Sequence, residues 1–251
     1  MPRQAQIKTF RKRWWFPQIL KRTLIVLLIM SLLLVEFATY TVRQSFAQES
    51  GTIQLPELKA EVTVQRDKWG IPHIYAANSH DLFMAQGYIH AQDRFWQMDF
   101  WRHIGSGRLS EMFGSSQVET DRYLRTMGWA RVAQQEIQEM NAEMKAYLEA
   151  YADGVNAYLA EHQGNALSLE YAVLKFLNPG YKPEPWQVVH SLTWGKVMAY
   201  DLGRNFQSEI ERAILLKTIT ATQVEELFPP YSKELPVILP EFQGGEGAGE
   251  V

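Results

Sequence analysis

The sequence predicts an α+β chain, mostly helical, in which a short β-hairpin precedes the helices. Three observations carry this. Residues 60–67 place Val62 and Val64 between Thr63 and Gln65, the alternation of a half-buried strand, and residues 71–76 resume an extended pattern after a turn. Residues 84–100 and 132–159 instead space their apolar side chains by three and four, the repeat of a helix. With 251 residues, 46% of them apolar and 12% aromatic, the chain has the material for a core of ordinary domain size.

The first element is not part of that core. Arg3, Lys8, Arg11, Lys12, Arg13, Lys21 and Arg22 precede Leu24-Ile-Val-Leu-Leu-Ile-Met-Ser-Leu-Leu-Leu-Val35, an apolar block that reaches bilayer length only by accepting Glu36. A basic flank before an apolar run is the pattern of a secretory signal, and Ser45-Phe46-Ala47 offers small residues at a cleavage spacing. An uncleaved anchor through residues 24–42, basic end in the cytoplasm, fits the same pattern. Under both readings the body is exported, periplasmic or extracytoplasmic, and with no cysteine it is exported without disulfides. The net charge of −3 hides an acidic remainder behind this basic opening, which sets nucleic acid aside as a partner. The expected organisation is a signal peptide or anchor at 1–47, a linker at 48–59, a folded domain at 60–230 and a disordered, spacer-like tail at 231–251.

Within the folded part, Asp67-Lys68-Trp69-Gly70 supplies turn chemistry, and Pro72 is tolerated at a strand start or edge. Asn78 or Ser79, with Asp81, caps the next helix. Met84, Tyr88, Ala91, Phe95 and Met98 form one stripe on it, and Ala85, Ile89, Trp96 and Phe100 form a neighbouring one, so much of its circumference is buried. Gly105-Ser106-Gly107 ends it, and Gly114 ends a short continuation. A second helical region carries Val132, Ile137, Met140, Met144, Leu148, Tyr151, Val155 and Leu159, with Asn141 as a new cap in its middle and Gly164 as a left-handed C-terminal residue. Prolines make residues 178–186 a rigid loop. Helix resumes from Val188, and Thr222 with Glu225 has the spacing of a capping box for a last short helix.

Five segments, in order, resemble the α chain of the penicillin acylases, which are N-terminal-nucleophile hydrolases. They are Val64-Gln-Arg-Asp-Lys-Trp-Gly-Ile-Pro-His-Ile-Tyr-Ala76, Ala85-Gln-Gly-Tyr-Ile-His-Ala-Gln-Asp-Arg-Phe-Trp-Gln-Met98, Tyr151-Ala-Asp-Gly-Val-Asn-Ala-Tyr158, Pro185-Trp186 and Ser208-Glu209-Ile210. The resemblance implies a four-layer αββα fold of which this chain supplies mainly helices and the hairpin. It also implies an amidohydrolase that cleaves the linear amide of an acylated amine, such as a β-lactam side chain or an acyl-homoserine lactone. Its nucleophile is a serine at the start of a β chain, with the serine's own α-amino group as base. No such serine occurs here: Ser106 and Ser115 lie between helices far upstream of the family's cut, so the chain contributes no catalytic residue and is expected to be inactive alone. The β chain, from the same precursor or separately encoded, and a small acyl-amide substrate are the implied partners. Two readings from other classes stand beside this one, a non-catalytic binding subunit and a membrane-anchored helical interaction domain.

The resemblance also carries site residues over. Glu209 matches a glutamate that gives its carboxylate to a structural calcium ion shared with the β chain, and calcium needs six to eight oxygens, so one carboxylate does not hold it alone. Met198, Arg204 and Phe206 match residues at the mouth of the acyl pocket, although the stretch from Met198 to Glu209 is one residue longer here. Asp93 and Arg94 are expected to form a buried structural network, and Asp153 and Asn156 to support packing, with Gly154 permitting close helix contact. His73, His80, His90 and His103 lack the spacing of a metal site, even with Asp99 one turn before His103.

Overall fold

The computed structural model describes residues 15–203 and 205–229. Helix α1 (Trp15–Gln44) leads to a hairpin of β1 (Thr63–Arg66) and β2 (Pro72–Tyr75). The strands are antiparallel, with Thr63 opposite Tyr75 and Val64 opposite Ile74. The turn is built as expected: Asp67 Oδ1 accepts from the amides of Trp69 and Ile71 at 2.8 and 3.0 Å, and β2 begins at Pro72.

Helix α2 (Ser79–Ser106) and helix α6 (Ala142–Glu161) form the centre of the molecule up to Val197. Asn78 caps α2, its side chain accepting from the Asp81 amide, while the Asp81 carboxylate accepts from the amides of Lys59 and Ala60 at 3.0 and 2.9 Å. Burial alone would raise the Asp81 pKa, but these hydrogen bonds, with those from His80 and Asn78, hold it well below the usual carboxylate range. Gly107, at φ 61°, closes α2 in the left-handed conformation that a residue without Cβ adopts freely.

The two helices touch through backbone. A Cβ at Gly154 would stand 1.9 Å from the Met84 carbonyl oxygen, and one at Gly87 would stand 2.0 Å from that of Tyr151. Close approach lets Tyr88, Phe95, Val155 and Tyr158 interlock, with Tyr171, Leu174 and Trp186 completing the core. Asn156 holds the backbone of Trp186 from both sides, its Nδ2 donating to the carbonyl and its Oδ1 accepting from the amide. Asp153 is exposed, so of the expected pair only Asn156 supports packing in this way.

Around this pair lie α3 (Leu109–Phe113), α4 (Val118–Met127), α5 (Trp129–Glu139) and α7 (Leu169–Leu177), followed by α8 (Val188–Gly203), α9 (Phe206–Leu215) and α10 (Ala221–Leu227). Asn141 caps α6 as expected, accepting from the Met144 amide. Gly164 is left-handed, but α6 has already ended at Glu161, and the glycine opens a 3-10 turn (Gly164–Ala166) instead. The capping box of the last helix lies two residues before the expected one: Thr220, in extended backbone, pairs reciprocally with Gln223, and Thr222 is already inside the helix. Helix α7 escapes the periodicity analysis because both its faces are apolar. Tyr171 and Leu174 are buried, while Leu169, Val173, Phe176 and Leu177 face outward. The expected tail at 231–251 lies outside the described residues.

Contacts divide the chain into a unit up to Val197 and a second from Met198. In the second, α9 has no buried residue and α10 buries Val224 alone. Leu202, Ile210, Ile214, Leu216 and Leu227 are all exposed there.

Candidate functional site

Of the residues carried over by resemblance, Met198 is half-buried on α8, and Phe206 opens α9, 39% exposed, its ring 6.1 Å from that of Tyr200. Arg204 lies outside the described residues. Glu209 is exposed in the first turn of α9, 3.8 Å from Arg212. No group of three metal-ligating side chains occurs among the described residues.

The strongest polar assembly lies elsewhere, on α2. Asp99 is fully buried and accepts from Arg102 Nε at 2.7 Å, from the Tyr171 hydroxyl at 2.6 Å and from the Tyr181 hydroxyl at 2.7 Å. Arg102 Nη1 donates to the Glu184 carbonyl at 2.9 Å, and its guanidinium stands between the rings of Phe95 and Trp186 at 5.8 and 5.6 Å. His103 Nδ1 donates to the Asp99 carbonyl at 2.7 Å. Burial, with the Asp99 charge added, pushes the Tyr171 and Tyr181 hydroxyls far above their usual pKa, so both stay protonated donors. A charge pair this deep persists because nearly every lone pair is met. It anchors the proline-rich loop to α2 and thereby fixes where α8 starts.

Two neighbouring polar groups continue this support. Arg108 joins Glu111 and Glu184 at 2.6 and 2.5 Å, and its hydrogen bonds to both raise its pKa. His190 Nδ1 accepts from the Gln187 amide at 3.0 Å. Burial, with Arg102 nearby, lowers its pKa to about 4, so the ring is neutral. Closer to the hairpin, Arg66 forks onto Asp93 at 2.7 and 2.9 Å. Arg94 is not part of this network: its backbone leaves the helical region (φ −144°, ψ 22°) and its side chain is exposed. Asp93 thus meets a cation from β1, not its sequence neighbour.

Sequence reasoning missed a groove of about 440 Å³ in the first unit, walled by α2, α6 and the start of α8. Phe83 stands against Tyr147 with ring centroids 4.9 Å apart, and Trp101 against Trp194 at 5.1 Å. His90 Nδ1 and the Tyr151 hydroxyl meet at 3.0 Å on its wall. Ser191, the lining serine, accepts from Trp186 Nε1 at 3.0 Å, and among the described residues no general base bonds to it. The groove can bind apolar surface, but it lacks an activated nucleophile. Phe83 and Trp101, apolar residues of α2 that belong to neither stripe, were the available signal; their partners on α6 and α8 were not adjacent in sequence.

A family model described as penicillin amidase matches residues 61–248, three quarters of the chain. The chain belongs to the penicillin amidase family. It is 43% identical over 143 residues to the penicillin acylase 2 proenzyme of Pseudomonas sp. (strain SE83), covering 57% of this chain and 18% of that protein. It is 34% identical over 188 residues to the acyl-homoserine lactone acylase QuiP of Pseudomonas syringae pv. syringae, covering 74% of this chain and 22% of that protein. The chain therefore spans about a fifth of the length of the curated relatives it matches. Its fold resembles a chain of the thermostable penicillin G acylase from Alcaligenes faecalis, with a TM-score of 0.57 and 26% identity, over 72% of this chain and 97% of that one. For this penicillin amidase family member, the mostly helical architecture with a two-stranded sheet is consistent with the α-chain portion expected from the sequence.

Proposed function

We propose that this chain is the α-chain-like part of an acylase that hydrolyses the linear amide of an acylated amine, and that it works only with a companion β chain. The observation that carries the reading is the match to 97% of one chain of a penicillin G acylase, by a chain without an activated nucleophile among its described residues. In this reading the companion's N-terminal serine attacks the amide carbonyl, its α-amino group takes the hydroxyl proton and passes it to the departing amine, and water then releases the acyl group. The two together complete the four-layer αββα architecture.

This chain's part is shape and positioning. The Asp99–Arg102–Tyr171–Tyr181 cluster holds the loop before α8 rigid. Met198, Arg204 and Phe206 then border the acyl pocket, which suits apolar acyl groups because Phe206 already presents an exposed ring. Glu209 is the residue that would give its carboxylate to a calcium ion. Its exposure and its loose pairing with Arg212 leave the carboxylate free to do so, and since no group of three metal-ligating side chains occurs among the described residues, the rest of the shell would fall to the companion. The ion would tie the two chains together electrostatically. The setting is extracytoplasmic, beyond the membrane that α1 enters.

The test is an amidase assay on the purified chain and on the chain assembled with its companion, using a chromogenic acyl anilide. Turnover is expected only from the assembly. Hydrolysis by the chain alone, abolished by substituting one of its own serines, would overturn the proposal.

A further inference from the structure

Helix α7 presents an apolar face that no described residue of the first unit covers. At about 100° per residue, Leu169, Val173, Phe176 and Leu177 fall within an arc of about 100°, on the side opposite the buried Tyr171 and Leu174. Phe176 is 89% exposed, Leu177 71% and Val173 62%. Solvated helix faces are normally polar, so a stripe this exposed implies an apolar neighbour.

The position of α1 says what that neighbour is. Residues 18–44 form a helix long and apolar enough to cross a membrane, and none of its apolar stretch is buried by the rest of the chain. About 20 residues at 1.5 Å each cover the ~30 Å hydrocarbon layer, so a span ending at Val42 puts Arg43 and Gln44 among the lipid headgroups. Glu36 falls in the last two turns of that span, where a carboxylate costs less than at the centre. Gln44 in turn accepts a hydrogen bond from Asn165, in the 3-10 turn that leads into α7. The end of α1 packs on that same turn. Helix α7 therefore starts only a few residues from the headgroup layer. The body is also folded against the connection. Ser45 is half-buried and shares a crevice with Gln92 and Leu167, so the small-residue stretch after α1 is not an extended, free segment.

We propose that α1 remains as a membrane anchor and that the outward stripe of α7 seats in the same leaflet beside it, so that the chain rests on lipid at two places. This goes beyond the acylase reading and does not depend on it. An enzyme so seated would meet amphiphilic substrates where they partition.

Because the native chain has no cysteine, single-cysteine variants carry one label each. The full chain with Phe176→Cys or Ile29→Cys, spin-labelled and reconstituted into phosphatidylcholine–phosphatidylglycerol vesicles, is read by collision with oxygen, which partitions into lipid, and with a water-soluble nickel chelate. Both positions are exposed, so both variants should fold. The label at Ile29→Cys should favour oxygen strongly, and that at Phe176→Cys should do so several-fold above a fully solvated label, at shallower depth. A Phe176→Cys label open to nickel, or shielded from both reagents as in a protein contact, would overturn the proposal. So would an Ile29→Cys label in water, since α1 would then not be the anchor.

Discussion

Residues 79–158 and residues 198–229 draw on the same kinds of side chain but end in opposite states. In the first, α2 and α6 meet at Gly87 and Gly154 and close a core in which Phe95, Met112 and Val155 are essentially solvent-free. In the second, α9 and α10 are capped and regular yet bury one side chain, Val224. Local signals were sufficient to make helices in both. What differs is the supply of apolar partners within the chain, and most helical stability comes from such partners rather than from propensity. The first region fills its own core, while the described residues of the second leave most of their apolar side chains exposed.

The sharpest way to break this contrast is Gly154→Ala. An alanine gains about 1 kcal/mol of helix propensity over glycine, but its Cβ would stand 1.9 Å from a backbone oxygen, where no side chain can yield. The clash should win. A net loss of about 3 kcal/mol, read from the urea midpoint, is expected, and an unchanged or raised midpoint would show that the helices do not touch there.

The first region should also carry an acid-sensitive element that the second lacks. His190 has its pKa lowered to about 4 from a usual 6.5. Between these values the unfolded chain binds a proton that the folded chain does not, so stability is lost as pH falls from about 6.5 to about 4. The effect is roughly 3 kcal/mol, and His190→Asn, which keeps an acceptor for the Gln187 amide, should flatten stability across that window. A pH profile of unfolding identical in the variant and the parent would remove His190 from the account.

The smallest effect is expected in the second region. Glu209 is exposed and only loosely paired, so Glu209→Gln should change the stability of the isolated chain by less than about 0.5 kcal/mol. In the assembled enzyme the same substitution should release calcium, measured by metal analysis after desalting. Retained calcium there would remove the assignment, and a large loss of stability in the isolated chain would mean that the second region is not waiting for a partner.

What the sequence by itself determined were the features whose causes lie within a few residues of one another. The Asx turn at Asp67, the caps at Asn78 and Asn141, the end of α2 at Gly107 and the hairpin register all follow from neighbours in the chain, as does the string of motifs that marks the penicillin amidase family. Only the tertiary structure decided which groups meet. Asp99 takes hydroxyls 72 and 82 residues away, Asp93 takes the guanidinium of Arg66 in place of its neighbour Arg94, and the aromatic groove joins side chains of three helices. Periodicity also missed α7, because its most apolar side faces outward while Tyr171 and Leu174 are buried, and which face is covered depends on the core it meets. Hydrogen bonds within a turn are fixed by backbone geometry, but contacts across the fold depend on how helices approach, and here two glycines set that approach.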